Sequence, residues 1–339
     1  MALASPPIGN GMGRGVRDWF AGLSDRYIYG GGAIIFLMLA WIGASLWGSN
    51  LEFPERFTFG KALAVRVDDL IFWITVNLAF ILDPISDGIL RFLVELEDFF
   101  QWVPWPVTII AATAIAFKVA GRRMGIFALV SLLLLGGFGL WESAMETMAL
   151  IAVAVLISIG LALPIGILAA RSDLVDALIR PILDAMQTMP AFVYLVPAIM
   201  FLGIGNPAAV LATVIYAVPP AIRLTNLGIR QVSPGTVEAA RAFGTTSRQL
   251  LVKVQIPMAI PTIMAGINQT TMMALAMVVI ASLVGAGGLG DDVNRALSQF
   301  QPGNALNGGI GIVILAIIID RVTQAAAKER QEALMGSRN

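Results

Sequence analysis

The sequence predicts an all-α polytopic membrane protein with about eight transmembrane helices. Of its 339 residues, 58% are hydrophobic and only 13% are charged, whereas an ordinary soluble domain carries about a quarter charged residues. A helix needs roughly 20 mostly apolar residues to cross about 30 Å of hydrocarbon. Runs that reach or approach this length lie at 29–48, 104–120, 124–141, 145–170, 182–204, 208–228, 258–286 and 306–323. We therefore expect a chain that crosses the bilayer many times.

The N-terminal region combines one predicted span with an acidic segment. Residues 1–28 contain no apolar core, so we expect a tail without a cleavable signal peptide. After span 29–48, the segment 49–103 holds nine acidic residues against four basic ones, and its apolar stretch 70–82 is too short to cross easily. We therefore expect 49–103 to be a periplasmic or interfacial segment with short amphipathic helices, in which the stretch 70–82 is either interfacial or re-entrant. Residues 104–141 are then expected to hold two scaffold spans.

Basic residues in the connections predict the orientation, because Lys and Arg favour cytoplasmic loops. They precede the first span, separate the second and third, and follow the fourth, sixth and eighth. These residues are Arg14, Arg17, Arg26, Lys118, Arg122, Arg123, Arg171, Arg180, Arg223, Arg230, Arg321, Lys328, Arg330 and Arg338. All fall on one side when eight spans alternate. Both termini, including the tail 326–339, are therefore expected in the cytoplasm.

The composition excludes several kinds of active site. The chain has no cysteine and no histidine, which removes disulfides, thiolate nucleophiles and the commonest metal ligand and general base. We expect no catalytic residue, no metal site and no bound cofactor. A G-x-x-x-x-G-K-[ST] phosphate loop is also missing, because the single Gly60-Lys61 pair has no glycine five residues before Gly60. The net charge of zero gives no sign of nucleic-acid binding.

The stretch EAARAFGTTSRQLLVKVQIP, residues 238–257, is a polar interruption between the sixth and seventh spans. Its charged residues would each cost about 2.5–3.5 kcal/mol at the bilayer centre. The pattern predicts two short helices, the first opened by Ser233-Pro234 and ended by a left-handed turn at Gly244. From spacing alone, a docking element and an ordinary polar loop fit this segment equally well.

The order of residues in this segment resembles the signature of ABC importer permeases. That signature is Glu-Ala-Ala, three residues, Gly, nine residues and Ile-x-Leu-Pro. Here it reads Glu238-Ala239-Ala240, then Gly244, then Val254-x-Ile256-Pro257, with conservative changes at two positions. Longer stretches at 186–207, 218–232, 260–290 and 309–325 are similar to the glycine betaine/proline type of permease. The resemblance covers about 140–325, whereas the first 100 residues are only loosely similar.

The resemblance implies the type I ABC importer permease fold, in a bacterial inner membrane, with residues 142–325 as the core. Partners implied are a second permease copy in a homodimer, two cytosolic ATPase subunits that bind ATP and Mg²⁺, and a periplasmic substrate-binding protein. The segment 233–257 would then be a coupling loop that docks on the ATPase. Its docking residues would be Glu238, Ala239, Ala240, Arg241, Gly244 and Arg248. The implied substrates are small methylated amines (glycine betaine, proline betaine, choline, carnitine or trimethylamine N-oxide), and osmotic regulation is a further hypothesis.

Polar and flexible residues in the fifth and seventh spans are candidates for the translocation pathway and its gate. They are Thr188, Met189, Pro190, Tyr194, Asn268, Gln269, Thr271 and Met272. The polar residues of the seventh span either line a pathway or form hydrogen bonds between helices, and both alternatives stay open. We also expect Pro219-Pro220 to kink or interrupt the sixth span. GAGGLG at 285–290 is interpreted as a flexible outer turn.

Two other classes of function compete with this interpretation. An ion-coupled secondary transporter would need intramembrane acids or histidine for proton coupling, and Glu146, Asp184 and Asp320 fall at the ends of predicted spans. Sodium coupling through backbone carbonyls stays open. A membrane-embedded enzyme is not supported, since no G-x-S-x-G motif and no paired intramembrane acids occur. The core has few aromatic residues for a quaternary ammonium cage, which favours a weakly binding conduit.

Overall fold

The computed structural model describes residues 25–47 and 58–336, and every regular element within them is helical. The chain divides into two compact units, residues 1–68 and 69–339. Most of the predicted N-terminal tail therefore lies outside the described residues.

The first unit contains helix α1 (Asp25–Trp47) and the beginning of α2 (Gly60–Asn77). Helix α1 has 23 residues, and the part of it whose side chains are described, Gly30–Ser45, is apolar. Helix α2 runs into the second unit, and α3 (Ala79–Trp102) follows it after Leu78. The acidic segment thus forms helices of 18 and 24 residues rather than the short helices expected.

The second unit continues with eleven further helices in the described residues. They are α4 (Trp105–Ala120), α5 (Arg122–Gly137), α6 (Trp141–Arg171), α7 (Asp173–Thr188), α8 (Leu195–Leu202), α9 (Asn206–Arg230), α10 (Pro234–Ala242), α11 (Ser247–Leu250), α12 (Ile256–Ser282), α13 (Leu289–Ser298) and α14 (Pro302–Gly336). A 3₁₀ turn (Ala191–Tyr194) precedes α8, and a π-helical turn (Leu251–Gln255) joins α11 to α12.

Helix α9 is the centre of the core and packs mainly against α12 and α6. In the most apolar 18-residue stretch of this helix, 72% is buried inside the folded chain. Glycines allow these close contacts: a Cβ on Gly166 of α6 would lie 2.7 Å from the Thr225 Cβ, and one on Gly266 of α12 would lie 3.2 Å from the Ala221 Cα. Small residues let membrane helices approach in this way.

The described residues contain four helical segments long and apolar enough to cross a membrane, or up to six when two bent helix pairs are counted. The four are α6, α9, Ser247–Ser282 and Pro302–Ala326, and the bent pairs are α3 with α4 and α7 with Ala191–Leu202. Helices α4 and α5 have 16 residues each, or about 24 Å, less than the hydrocarbon thickness. The multi-pass helical architecture is confirmed, whereas the number of about eight spans is not.

The predicted fifth span, 182–204, is not one helix. Helix α7 ends at Thr188, and the chain bends by 114° before continuing into Ala191–Leu202. Met189 is extended, with φ −72° and ψ 138°, because the ring of Pro190 disfavours helical backbone at the preceding residue. We call residues 188–190 the helix break.

The predicted sixth span has no interruption at Pro219-Pro220, since α9 continues through both prolines. The neighbouring helix supplies a hydrogen bond here: Thr270 Oγ1 of α12 donates to the Ala217 carbonyl at 2.8 Å. The carbonyls that lose their usual donor are those of Ile215 and Tyr216, four residues before each proline, so this bond holds the adjacent turn of α9 against α12. The expected interruption of this span is therefore wrong.

Candidate functional site

The coupling loop, residues 233–257, has the predicted helix–glycine–helix shape. The Ser233 hydroxyl accepts a hydrogen bond from Thr236 N at 3.3 Å and caps α10. Gly244 has φ +78°, a left-handed conformation that glycine adopts without steric cost. Thr245 closes the turn, with its amide and hydroxyl both donating to the Ala240 carbonyl, at 3.3 and 2.7 Å.

The second arm of the coupling loop is continuous with the membrane helix that follows it. Thr246 and Gln249 form a reciprocal capping box at the start of α11. A π-helical turn then leads into α12, with Ile256 N donating to the carbonyl of Leu251, five residues earlier. This wide turn lies just before Pro257, whose ring would crowd the carbonyl four residues earlier in a regular α-helix. A force on the second arm therefore acts directly on α12.

The coupling loop has a buried base and an exposed tip. Leu250 and Leu251 are buried, and Leu251 packs with Ile229 and Ala259 in one apolar cluster. At the tip, the Phe243 side chain is 91% exposed. We did not predict a role for Phe243, although an aromatic residue beside a turn glycine in a polar loop is a visible signal.

The predicted docking residues lie on the outside of the coupling loop. All are exposed except Ala240, which is half-buried: Glu238, Ala239, Ala240, Arg241, Gly244 and Arg248. Neither Arg241 nor Arg248 forms an ion pair with any residue that the structure describes. The coupling loop therefore presents three exposed cations, Arg241, Arg248 and Lys253, together with the exposed acid Glu238 and the exposed aromatic side chain of Phe243.

The gate candidates of the fifth span separate into two groups. Thr188, Met189 and Pro190 are exposed at the helix break. Tyr194 is only 4% exposed; its hydroxyl donates to the Met186 carbonyl, and its ring centroid lies 5.9 Å from that of Tyr216. Tyr194 therefore braces the bend from inside, where it cannot line an open pathway in this conformation.

Two of the pathway candidates on α12 are engaged in contacts within the protomer. Asn268 Nδ2 donates to Asp320 Oδ1 of α14 at 3.0 Å. Thr271 is buried, and its hydroxyl donates to the Ile267 carbonyl at 2.9 Å. For Asn268, the geometry is that of the interhelical hydrogen bond, one of the two alternatives above.

The other two candidates on α12 lie on an exposed face. The exposed residues of this helix repeat at spacings of seven, four and three along one side, which we call the α12 stripe: Met258, Ala265, Gln269, Met272 and Ala276. A polar amide such as that of Gln269 is costly against hydrocarbon. The stripe is therefore better suited to a protein or water boundary than to lipid.

The GAGGLG turn, residues 285–290, is closely packed, which contradicts its interpretation as flexible. A Cβ on Gly288 would lie 2.4 Å from Thr147 Oγ1, and one on Gly290 would lie 2.4 Å from the Val278 carbonyl oxygen. Leu289 N donates to Thr147 Oγ1 at 2.8 Å in a buried site. This turn fixes the start of α13 against α6, at the end of the core opposite to the coupling loop.

No metal centre is found among the residues that the structure describes, where no group of three or more Asp or Glu side chains could hold an ion. The features with functional potential are thus the coupling loop, the helix break and the α12 stripe. All three lie between residues 188 and 276.

Comparison with known proteins covers this same region. A family model described as "Binding-protein-dependent transport system inner membrane component" matches residues 162–328. The glycine betaine transport system permease protein OpuAB of Bacillus subtilis (strain 168) is 45% identical over 262 residues, which cover 77% of this chain and 93% of that protein. The chain belongs to this family of transport-system membrane components. Together with the helical spans described above, this membership makes it a multi-pass membrane protein.

Two further comparisons define the extent of the family resemblance. The glycine betaine/proline betaine transport system permease protein ProW of Escherichia coli (strain K12) is 54% identical over 227 residues, 67% of this chain. The match spans 64% of that relative, less than two thirds of its length. Among solved structures, the inward-facing MetNI methionine ABC transporter (CY5 native crystal form) matches with a TM-score of 0.53 at 23% identity, over 56% of this chain and 95% of that chain. This likeness supports the fold of the ABC importer permeases.

Proposed function

We propose that this protein is the transmembrane subunit of an ATP-driven ABC importer that carries a small methylated amine into a bacterial cell. The observation that carries the proposal is the coupling loop, whose tip is exposed while its two arms continue into α9 and α12. In this proposal the protein spans the inner membrane several times, with both termini in the cytoplasm.

The proposed partners are a second copy of this chain, two cytosolic ATPase subunits and a periplasmic substrate-binding protein. Nucleotide and Mg²⁺ would bind to the ATPase, since this sequence contains no phosphate loop. Phe243, Arg241 and Arg248 suit docking in a groove with acidic groups, because aromatic and arginine residues dominate the binding energy of many interfaces. The α12 stripe suits the boundary of a pathway between two copies.

Glycine betaine is the first substrate to test, because two of the relatives above are named as its permeases. Proline betaine, choline, carnitine and trimethylamine N-oxide share its compact methylated nitrogen. The described core supports weak binding along a conduit, because the rings of Tyr194 and Tyr216 pack against each other instead of framing a cation–π cage. High affinity would then belong to the periplasmic partner.

The mechanism follows from how the coupling loop is attached. Its first arm, α10, is separated from α9 by only three residues, 231–233, and its second arm is continuous with α12. Helices α9 and α12 also form the centre of the core. When ATP binding closes the two ATPase subunits, displacement of the loop would move both core helices and change the side from which the pathway is open.

The decisive experiment is uptake of radiolabelled glycine betaine into vesicles that contain the complete complex. We expect uptake to require internal ATP and the periplasmic protein, and to persist when an ionophore collapses ion gradients. Uptake that continues without ATP and disappears with the ionophore would instead establish an ion-coupled secondary transporter.

A matched pair of variants tests the docking surface. Phe243→Ala should weaken binding of the ATPase by about 2 kcal/mol, or roughly 30-fold, as expected for an aromatic anchor at an interface. Phe300 is equally exposed, at 92%, but lies beyond α13 at the opposite end of the core. Phe300→Ala should leave ATPase affinity unchanged. If the two variants bound the ATPase with equal affinity, the coupling loop would not be the docking surface.

A further inference from the structure

A group of charged and amide side chains joins three helices beside the coupling loop. We call it the charged cluster: Asp173, Asp176, Arg180, Asn226 and Arg230. At its centre, Asp176 of α7 is only 7% exposed. Its carboxylate accepts a hydrogen bond from Asn226 Nδ2 at 2.7 Å and forms an ion pair with Arg180 Nη2 at 2.7 Å.

Arg230 connects the other members of the charged cluster. Its Nη1 donates to Asp173 Oδ1 at 2.6 Å, and its Nε donates to Asn226 Oδ1 at 2.9 Å. Its Nη2 donates to the Ala169 carbonyl near the end of α6 at 2.7 Å and lies 3.8 Å from Asp176 Oδ2. One planar guanidinium thus links the end of α9 to the end of α6 and the start of α7, a geometry that lysine cannot reproduce.

The charged cluster supplies the polar part of the attachment of α7 to the core. Only Asp176 and Leu183 are buried within this helix. A cleft of about 320 Å³ lies between α7 and the end of α9. It is lined by Asp176, Arg180, Asn226 and Arg230 of the cluster and by the Arg223–Asp184 ion pair. Leu183, Ile179 and Met186 pack α7 against the apolar core, and the polar contacts of the charged cluster join the start of this helix to the end of α9.

The charged cluster lies next to the coupling loop, at the end of α7 that is opposite to the helix break. Arg230 is the last residue of α9, three residues before the Ser233 cap of α10. At its other end, α7 finishes at Thr188, where the helix break begins. Helix α7 therefore extends from the charged cluster at one end to the gate candidates at the other.

We propose that the charged cluster transmits displacement of the coupling loop to α7 and so controls the helix break at 188–190. In this proposal, which rests on the function proposed above, Arg230 and Asp176 are positioning residues that touch neither substrate nor nucleotide. Loss of Arg230 would leave the ATPase docked on the coupling loop but would disconnect α7 from its movement. ATP would then be hydrolysed with little transport.

The first test measures the ratio of glycine betaine transported to ATP hydrolysed in the reconstituted complex. Arg230→Gln should lower this ratio severalfold, with ATPase binding retained. Arg230→Lys should recover only part of it. Arg295→Gln is the matched control, because it removes an ion pair with Asp291 inside α13, and it should leave the ratio unchanged.

The second test reports the helix break directly. Since the chain contains no cysteine, Met189→Cys introduces a single thiol there. Its reaction rate with a water-soluble thiol reagent should differ between the nucleotide-free complex and the complex trapped with ATP. In the Met189→Cys/Arg230→Gln variant, this difference should disappear.

A pair of exposed acids keeps the test decisive if Arg230→Gln fails to fold. The side chains of Asp173 and Asp184 are 93% and 66% exposed, so Asp173→Asn/Asp184→Asn removes two cross-helix ion pairs without disturbing buried packing. This variant should also lower the transport ratio. The role of the charged cluster would be overturned if these variants kept both the wild-type ratio of transport to ATP hydrolysis and the nucleotide-dependent difference in thiol reaction rate. Absence of ATP-dependent uptake by the wild-type complex would instead overturn the proposed function itself.

Discussion

At the residue scale, the requirement for glycine at position 244 comes from its backbone conformation and not from lack of space around it. No heavy atom lies within 4 Å of a Cβ built on this glycine. Its φ of +78° is nevertheless a conformation that β-branched residues adopt only with strain. The angle between the arms of the coupling loop therefore depends on the backbone of one residue.

Substitution of Gly244 should alter transport without altering membrane insertion. Gly244→Val places a β-branched side chain in the left-handed region, at a cost of about 1–2 kcal/mol, and should reorient α10 relative to α11. We expect lower uptake and lower substrate-stimulated ATPase activity, with normal amounts of protein in the membrane. Gly244→Asn is the control, because asparagine tolerates this conformation; equal uptake by both variants would contradict the assignment of a defined turn.

At the scale of elements, α9 depends on small residues at its contacts with neighbouring helices. Gly166 of α6 faces Thr225 and the Ile222 carbonyl, and a Cβ at Gly228 would lie 2.9 Å from the Thr262 Cβ of α12. These contacts hold the half of α9 that leads to the coupling loop. Close packing of α6, α9 and α12 makes them suited to move as one body.

A single added methyl group should separate these helices measurably. In Gly166→Ala the new Cβ would lie 2.9 Å from the backbone oxygen of Ile222, which cannot move aside easily. We expect the free energy of unfolding in detergent to fall by about 1–3 kcal/mol, as for other overpacked cores. Gly160 of the same helix has no heavy atom within 4 Å, so Gly160→Ala should be neutral or stabilising by about 0.5–1 kcal/mol. Equal destabilisation by both variants would show that close packing at Gly166 is not the cause.

At the scale of the whole molecule, the α12 stripe is an exposed surface whose composition does not suit contact with lipid. It combines methionines, alanines and one amide, whereas the spanning helix α6 exposes apolar side chains such as Leu156. Methionine is flexible and fits surfaces that accommodate more than one partner. We therefore expect the stripe to border water or a second copy in the assembled transporter.

Single thiols should distinguish these two surfaces in the reconstituted complex. Met272→Cys should react with a water-soluble thiol reagent, and glycine betaine delivered by the periplasmic protein should slow the reaction. Leu156→Cys should remain unreactive, because a thiol in hydrocarbon stays protonated and only the thiolate is nucleophilic. Equal reactivity at both positions would show that the stripe does not line a pathway.

The sequence by itself determined the features that depend on composition or on a few neighbouring residues. A 58% hydrophobic chain with long apolar runs implies a helical membrane protein, because a helix satisfies its own backbone hydrogen bonds in lipid. The turn at Gly244 and the cap at Ser233 were likewise predictable, since they follow from the backbone preferences of one or two residues.

Only the tertiary structure decided which candidates share a surface and which are buried. Tyr194 and Thr271 are buried by residues distant in sequence, whereas Gln269 and Met272, on the same helix as Thr271, are exposed. Arg230 meets Asp173 across 57 positions of the chain. No local pattern specifies such contacts, because they depend on how α6, α7, α9 and α12 pack against one another.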